Sequence, residues 1–268
     1  MKQEKERLDV LLVKRGMTES REKAKAAIMA GLVFAAGQRL DKPGVEIPVN
    51  AELELKADPL PFVSRGGLKL AKAIELFRLS LDGVVAADIG ASSGGFTDCL
   101  LQQGAYRVYA IDVGYGQLHW KLRNDPRVSV LERTNARYLT EDSLPEQMDW
   151  VVTDVSFISL NKIFPAIGRI LKETGQVVAL IKPQFEAGRE YIGKRGVIKD
   201  PQIHRQVITR VLEDAEQLGF QIKGLSYSPI RGPEGNIEFL AWLGRTDAQI
   251  DWRAGVGAVV QEAQEGAR

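Results

Sequence analysis

From Val84 onward the chain alternates short apolar runs with amphipathic stretches, and the first run empties into a polar, glycine-dense turn. Residues 84–89 read Val-Val-Ala-Ala-Asp-Ile, and Gly-Ala-Ser-Ser-Gly-Gly-Phe-Thr-Asp follows as far as Asp98. Such alternation leaves few solutions: the apolar runs become mostly parallel strands, and the stretches between them become helices covering both faces of the sheet. Strands are predicted at 84–89, 106–111, 127–131, 149–154, 176–181, 220–227 and 237–243, with helices between most of them, as at 200–218. The last two strands are joined by Ser228–Asn236 with no helix between, which predicts a hairpin at the sheet edge and an antiparallel last pair. The expected fold class is therefore α/β, a Rossmann-like sheet with an antiparallel last strand.

The glycines after the first strand select among ligands. A phosphate-binding P-loop needs a lysine after its last glycine, but Gly94-Gly95 is followed by Phe96. A dinucleotide fingerprint needs Gly-x-Gly-x-x-Gly, whereas the order here is Gly90-x-x-x-Gly94-Gly95 behind Asp88. A carboxylate at Asp88 suits an ammonium and opposes a pyrophosphate. The second strand ends in Asp112, where an acid accepts from ribose hydroxyls. The combination favours S-adenosylmethionine, with a tight turn packing helix on sheet as the plain alternative. The expected cofactor contacts are Asp88, Gly90, Ser92, Gly94, Gly95, Phe96, Asp112, Val113, Asn135 and Ala136; a helix cap is the alternative for Asn135-Ala136.

Ahead of this region lies a compact α-then-β module. Leu8, Leu11 and Leu12 share a face of a helix over 7–15 that Gly16 ends. Residues 20–30 read as a second helix, with Ser20 as N-cap and Gly31 as stop. Short β segments are predicted at 32–35, 44–46 and 52–55, with a turn at Gly37. Lys14, Arg15, Arg21, Lys23, Lys25 and Arg39 outnumber Glu19 and Glu22, a balance that suits a phosphate backbone or a solvated helix face. The candidate RNA contacts are Arg7, Lys14, Arg15, Ser20, Arg21, Lys23, Lys25 and Arg65. The proline-marked stretch 57–61 reads as a linker. The expected division is a module over 1–60, a linker over 61–66, the α/β domain over 67–245 and a tail over 246–268.

Net charge is only +1 over 268 residues, so any attraction to nucleic acid is local. One cysteine excludes an intrachain disulfide, and zinc-ligand spacings are absent, so no metal is expected. Cys99 reads as a core residue, and His119 and His204 as surface positions beside Lys121 and Arg205. No apolar run reaches about 18 residues, and no apolar core follows the charged N-terminal residues, so neither a membrane span nor a secretory signal is expected. The expected compartment is the cytoplasm.

Arg65-Gly66-Gly67-Leu68-Lys69, Asp88 to Asp98, Asp112-Val-Gly-Tyr-Gly-Gln117, Asp154-Val-Ser-Phe157 and Ile181-Lys182-Pro-Gln-Phe185 carry a resemblance that spans nearly the whole chain. The sequence resembles the TlyA family of ribosomal RNA 2′-O-methyltransferases, which also bear the label haemolysin. Its first module resembles the RNA-binding domain first seen in ribosomal protein S4, and its large domain resembles the FtsJ-like methyltransferases. The resemblance implies S-adenosylmethionine as cofactor and a cytidine in ribosomal RNA, within ribosomal subunits, as substrate, with no obligate protein partner evident. It also implies a Lys-Asp-Lys-Glu tetrad, matched here by Lys69, Asp154, Lys182 and Glu238.

The residues read by themselves agree. Asp154 and Lys182 end the fourth and fifth predicted strands, at the sheet edge where ligands bind in open α/β folds. A lysine there is costly unless carboxylates or substrate meet it. The assigned roles are Lys182 for the 2′-hydroxyl proton, Asp154 and Glu238 to orient it, and Lys69 to position the ribose; structural ion pairs are the alternative. Phe157 is a candidate to stack on a nucleobase or to pack in the core. An exocyclic-amine methyltransferase is disfavoured because Asp154-Val-Ser-Phe157 lacks the prolines of that chemistry, and a pore former because no strongly amphipathic apolar segment is visible.

Overall fold

The computed structural model describes residues 4–29, 31–55, 60–193, 196–246 and 250–266. They fall into two units, Met1–Pro61 and Phe62–Arg268. Most of the stretch read as a linker, 57–59, lies outside the described residues.

The first unit holds β1 (Lys5–Arg7), α1 (Leu8–Lys14), α2 (Arg21–Met29), β2 (Val33–Ala35), β3 (Gln38–Leu40), β4 (Glu46–Pro48) and β5 (Leu53–Leu55). β1 pairs with β4, and β2 lies between β3 and β5, all antiparallel. Leu8, Leu11 and Leu12 pack with Ala24, Ala27, Ile28, Val33 and Ile47 to make its core. Gly16 and Gly31 follow the two helices at φ +68° and +72°, left-handed positions that glycine takes without strain. The β segments begin later than predicted, and β1 and β3 are strands the sequence reading missed.

The second unit runs α3 (Gly66–Phe77), β6 (Val85–Ile89), α4 (Gly95–Gln102), β7 (Arg107–Ile111), α5 (Trp120–Arg123), β8 (Val128–Leu131), β9 (Met148–Thr153), α6 (Phe164–Ile170), β10 (Leu171–Ile181), α7 (Pro183–Glu186), α8 (Pro201–Gln217), β11 (Gln221–Tyr227), β12 (Phe239–Gly244) and α9 (Trp252–Gly266). The sheet order is β11-β12-β10-β9-β6-β7-β8. β12 is antiparallel to both neighbours, inserted between β10 and β11, so β11 rather than the last strand forms the edge. The remaining pairs are parallel. Strand residues alternate between two cores, as the pleat requires. Val177, Ala179 and Ile181 face the layer with Phe164, Ile208 and Trp252. Val178 and Leu180 face the layer with Leu70, Phe96 and Leu100.

The segment read as a tail forms α9, and its Trp252, Val256, Val260 and Ala263 complete the first of these cores. His204 is not a surface residue. α8 buries His204, Ile208, Val211 and Ala215 on one stripe. The His204 ring lies 3.2 Å from the Ile198 carbonyl through Nε2 and 3.3 Å from Gln264 Nε2 through Nδ1, and burial lowers its pKa. Cys99 is buried, and its thiol is pushed up to about 12 by that burial, which leaves it inert.

Candidate active site

Successive strands leave β6 in opposite directions, β7 and β8 to one side and β9 and β10 to the other. Open sheets bind ligands at such a switch point, beyond the carboxyl ends of the strands. A cavity of about 550 Å³ lies there, walled by Gly90, Ser92, Asp112, Val113, Gln117, Asn135, Ala136, Asp154, Ser156 and Phe157 among others. Gly90 must be glycine: φ is +84°, and a Cβ would sit 3.0 Å from the Asp154 carbonyl oxygen. Asp112 accepts from the Ser92 N–H at 2.8 Å and the Gly114 N–H at 2.7 Å, tying the end of β7 to the loop after β6. Asn135 lines the cavity and also caps the 3-10 turn over Ala136–Tyr138, accepting from the Arg137 N–H at 3.2 Å.

Four of the expected cofactor contacts are not on this wall. Gly94, at φ +95°, makes room for Leu118 and Leu122. Gly95 lets α4 approach α3, since its Cβ would stand 2.8 Å from the Gly67 nitrogen. Phe96 is buried in the core. Asp88 is fully buried and accepts from the Thr97 hydroxyl at 2.7 Å. These residues shape the wall from behind, because a helix packed this closely on the strand needs glycines at its start. Asp88 retains a buried oxygen, Oδ1, with no hydrogen-bond partner.

Burial pushes the Asp88 carboxyl up to about 7, from 3.8, against the Thr97 hydroxyl, which favours the charged form. The folded state therefore keeps a proton that the unfolded chain has lost, and stability falls as pH rises across that window. Asp88→Asn removes the titration and keeps an acceptor for Thr97. Its effect on stability is expected to become more favourable, by on the order of 2–4 kcal/mol, between about pH 4 and about pH 8. Urea unfolding at both values measures this; an equal effect at both would show that Asp88 titrates as an ordinary carboxyl.

Lys69, Asp154, Lys182 and Glu238 form one chain of ion pairs. Lys69 Nζ lies 2.7 Å from Glu238 Oε2 and 3.2 Å from Asp154 Oδ2, and Lys182 Nζ lies 2.5 Å from Asp154 Oδ1. Each member is delivered by a different element. Lys69 sits in the first turn of α3. Asp154 continues the β9 ladder, its N–H donating to Ile89 at 3.1 Å. Lys182 precedes Pro183, which opens α7. Glu238 leads into β12, and its carbonyl accepts from the Ser228 N–H at 2.8 Å.

Two buried lysines and two carboxylates balance in charge, which is what makes their burial tolerable. Burial works against the Lys69 ammonium, but Asp154 and Glu238 outweigh it and hold its pKa above the usual lysine value. Gly232, which the sequence reading passed over, clears the Glu238 carboxylate: its Cβ would stand 2.8 Å from Oε1. Asn236 pins the same segment, its side chain accepting from the Ile198 N–H at 3.0 Å and donating to the Gly196 carbonyl at 2.9 Å.

Phe157 is not a core residue. It is 90% exposed, at φ +63°, with its ring 4.8 Å from that of Phe185. A side chain held in the left-handed region at a cavity wall costs about 1–3 kcal/mol that packing does not return.

In the first unit, Asp9 is fully buried and grips two arginines. Arg7 donates to it at 3.0 and 3.1 Å, and Arg21 at 2.9 Å. The Arg7 hydrogen bond, with Arg21, holds the Asp9 carboxyl well below the usual range. Both guanidiniums remain about half exposed, 48% and 50%, and fixed in direction. The other candidates differ. Arg15 donates to the Ala51 and Val49 carbonyls, Lys14 pairs with Glu6, and Lys23 with Glu19. Ser20 caps α2 through the Lys23 N–H at 3.2 Å. Lys25 and Arg39 are exposed, as is Arg65 at the start of α3.

The fold and site define a class, a methyltransferase with a seven-stranded sheet whose one reversed strand is inserted next to the edge. Residues 62–245 match the FtsJ-like methyltransferase model and residues 6–53 the S4 domain. The 16S/23S rRNA (cytidine-2′-O)-methyltransferase TlyA of Mycobacterium tuberculosis is 43% identical over 262 residues, 97% of this chain and 98% of that protein. Hemolysin A of Brachyspira hyodysenteriae is 42% identical over 236 residues, 88% of this chain and 98% of that protein. A solved Streptococcus thermophilus structure that carries the haemolysin label is 51% identical, covering 98% of this chain and 97% of that chain at a TM-score of 0.78. The chain belongs to the FtsJ-like methyltransferase family, in the TlyA group that joins this domain to an S4 domain.

Proposed function

We propose that the protein methylates a ribose 2′-hydroxyl of cytidine in ribosomal RNA, using S-adenosylmethionine, on ribosomal subunits in the cytoplasm. The observation that carries this reading is the Lys69–Asp154–Lys182–Glu238 chain, two of whose carboxylate–lysine contacts involve Asp154, a residue on the cavity wall. The names of the relatives support the substrate.

The residues present fit the cofactor. The cavity lies at the switch point, Asp112 is a carboxylate at the end of β7, Gly90 keeps the wall open, and Asp88 holds an orphaned oxygen behind it. Asp112 would hold the ribose, with Val113, Asn135 and Ala136 beside the adenine. S-adenosylmethionine supplies an electrophilic methyl carbon when bound. Lys182, once its ammonium has released a proton to solvent, takes the 2′-hydroxyl proton at Nζ, while Lys69, fixed as an ammonium between two carboxylates, orients Asp154 and the ribose. Phe157 offers an exposed ring to an unstacked base. Arg7 and Arg21, splayed by buried Asp9, meet phosphates in the first unit, with Lys25 and Arg39 as further cations there; Arg65 offers a separate cation in the second unit. Arg15 and Ser20 hold the fold instead.

A base-directed reading has no support in the Asp154–Phe157 turn. Among the described residues no helix is long and apolar enough to cross a membrane. Labelled methyl transfer to rRNA, followed by mapping of alkali-resistant linkages, is expected to mark a cytidine ribose. Label confined to a base would overturn the proposal.

A further inference from the structure

The Ser156 hydroxyl makes a contact that the four-residue chain does not account for. Lys182 Nζ donates to Ser156 Oγ at 2.9 Å as well as lying 2.5 Å from Asp154 Oδ1. Lys182 is almost wholly buried, whereas Ser156 is exposed on the cavity wall. In the turn that carries Ser156, Phe157 lies in the left-handed region with its ring against Phe185.

We propose that Ser156 is a positioning residue that fixes the direction of the Lys182 lone pair; the inference rests on the reading of Lys182 as the proton acceptor. In the state that accepts the proton, the Lys182 ammonium has already lost one, and the neutral amine then has two N–H groups and one lone pair at the corners of a tetrahedron completed by Cε. Asp154 and Ser156 are two acceptors, and each takes one N–H. The lone pair then has one corner left, the one open to an incoming hydroxyl. With Asp154 alone, the nitrogen is no longer held from two sides, and the lone pair turns away from the corner that faces the incoming hydroxyl. Of the other groups of this cluster, Lys69 from α3 engages both Asp154 and Glu238, and Glu238 ahead of β12 engages Lys69, so neither substitutes for Ser156. The Phe185 ring, 5.9 Å from Nζ, offers no second acceptor of comparable strength.

The test uses the full chain with Ser156→Ala and Ser156→Thr. Ser156→Ala is expected to lower kcat about 10- to 100-fold, the scale of a misplaced reacting group. KM for rRNA and equilibrium binding of S-adenosylmethionine should stay near parental. Ser156→Thr keeps the hydroxyl and should restore most of kcat. A second readout needs no substrate. With lysine side chains labelled at 13Cε and 15Nζ, the Lys182 signal, identified by its loss in Lys182→Ala, should be sharp in the parent and the threonine variant and broadened in Ser156→Ala. Parental kcat in Ser156→Ala together with an unchanged lysine signal overturns the inference. Equal loss in the alanine and threonine variants also overturns it, because a hydroxyl would then not be what matters. If Lys182→Ala itself retains transfer, the reading of the site fails, and the lone-pair role fails with it.

Discussion

Lys182→Ala is expected to lower single-turnover methyl transfer to rRNA by about 10²- to 10⁴-fold, the range that a positioned proton acceptor contributes. The fold should survive, because Asp154 keeps Lys69 as a partner at 3.2 Å. Binding of S-adenosylmethionine should change little, since the cavity wall is made by other residues. Lys182→Arg should not rescue transfer. A guanidinium keeps the charge but cannot take up a proton in a protein, and its planar fork does not match acceptors arranged for a tetrahedral nitrogen. Near-parental transfer by the arginine variant would show that charge alone suffices. Loss of cofactor binding in the alanine variant would make Lys182 structural. The two lysines differ in surroundings, which argues for dividing their roles. Lys69 contacts two carboxylates, which stabilise its ammonium; Lys182 shares one of them and meets a neutral hydroxyl.

Strand positions were legible in the sequence because a strand buried on both faces is a continuous apolar run, as Val177–Ile181 is. Strand order was less so. The hairpin between β11 and β12 can be read from its turn, but its insertion beside β10 is a long-range pairing with no local mark. β1 and β3 escaped because Lys-Glu-Arg and Gln-Arg-Leu are too short and polar to show a period.

His204 was misread by weighing its neighbour Arg205, although the spacing 204, 208, 211 and 215 already placed it on the inner stripe of α8. In α9 the glycines obscured a helix. Gly255 and Gly257 have open space at their Cβ positions, so they sit outside while Trp252, Val256 and Val260 pack inward. The four ionic residues of the site were named by resemblance; their mutual distances, and the Ser156 contact, belong to the packing of α3 on α4 and to the turn after β9.

Asp112→Ala is expected to weaken binding of S-adenosylmethionine by about 100-fold. The carboxylate already accepts from the Ser92 and Gly114 N–H groups at 2.8 and 2.7 Å, one on each oxygen. Each oxygen has a further lone pair, which suffices for the two hydroxyls of a ribose. Two hydrogen bonds to a charged acceptor, at about 1.5 kcal/mol each, amount to roughly 3 kcal/mol, or about two decades in Kd. Removing the carboxylate also releases Ser92 from its φ of +49°, a conformation that the Asp112 bond helps to hold. Two causes of weakened binding must therefore be separated. Calorimetry with the 2′-deoxyribose analogue of the cofactor does this. That analogue should bind the parent weakly and lose much less on substitution, because one of the hydroxyls that Asp112 serves is already absent. An equal loss for both ligands would assign the effect to the loop alone. Asp112→Asn should remain well below the parent, because its amide turns one donor toward a backbone N–H that needs an acceptor. Cofactor affinity within about 3-fold of parental in Asp112→Ala, less than 1 kcal/mol, would place the ribose elsewhere.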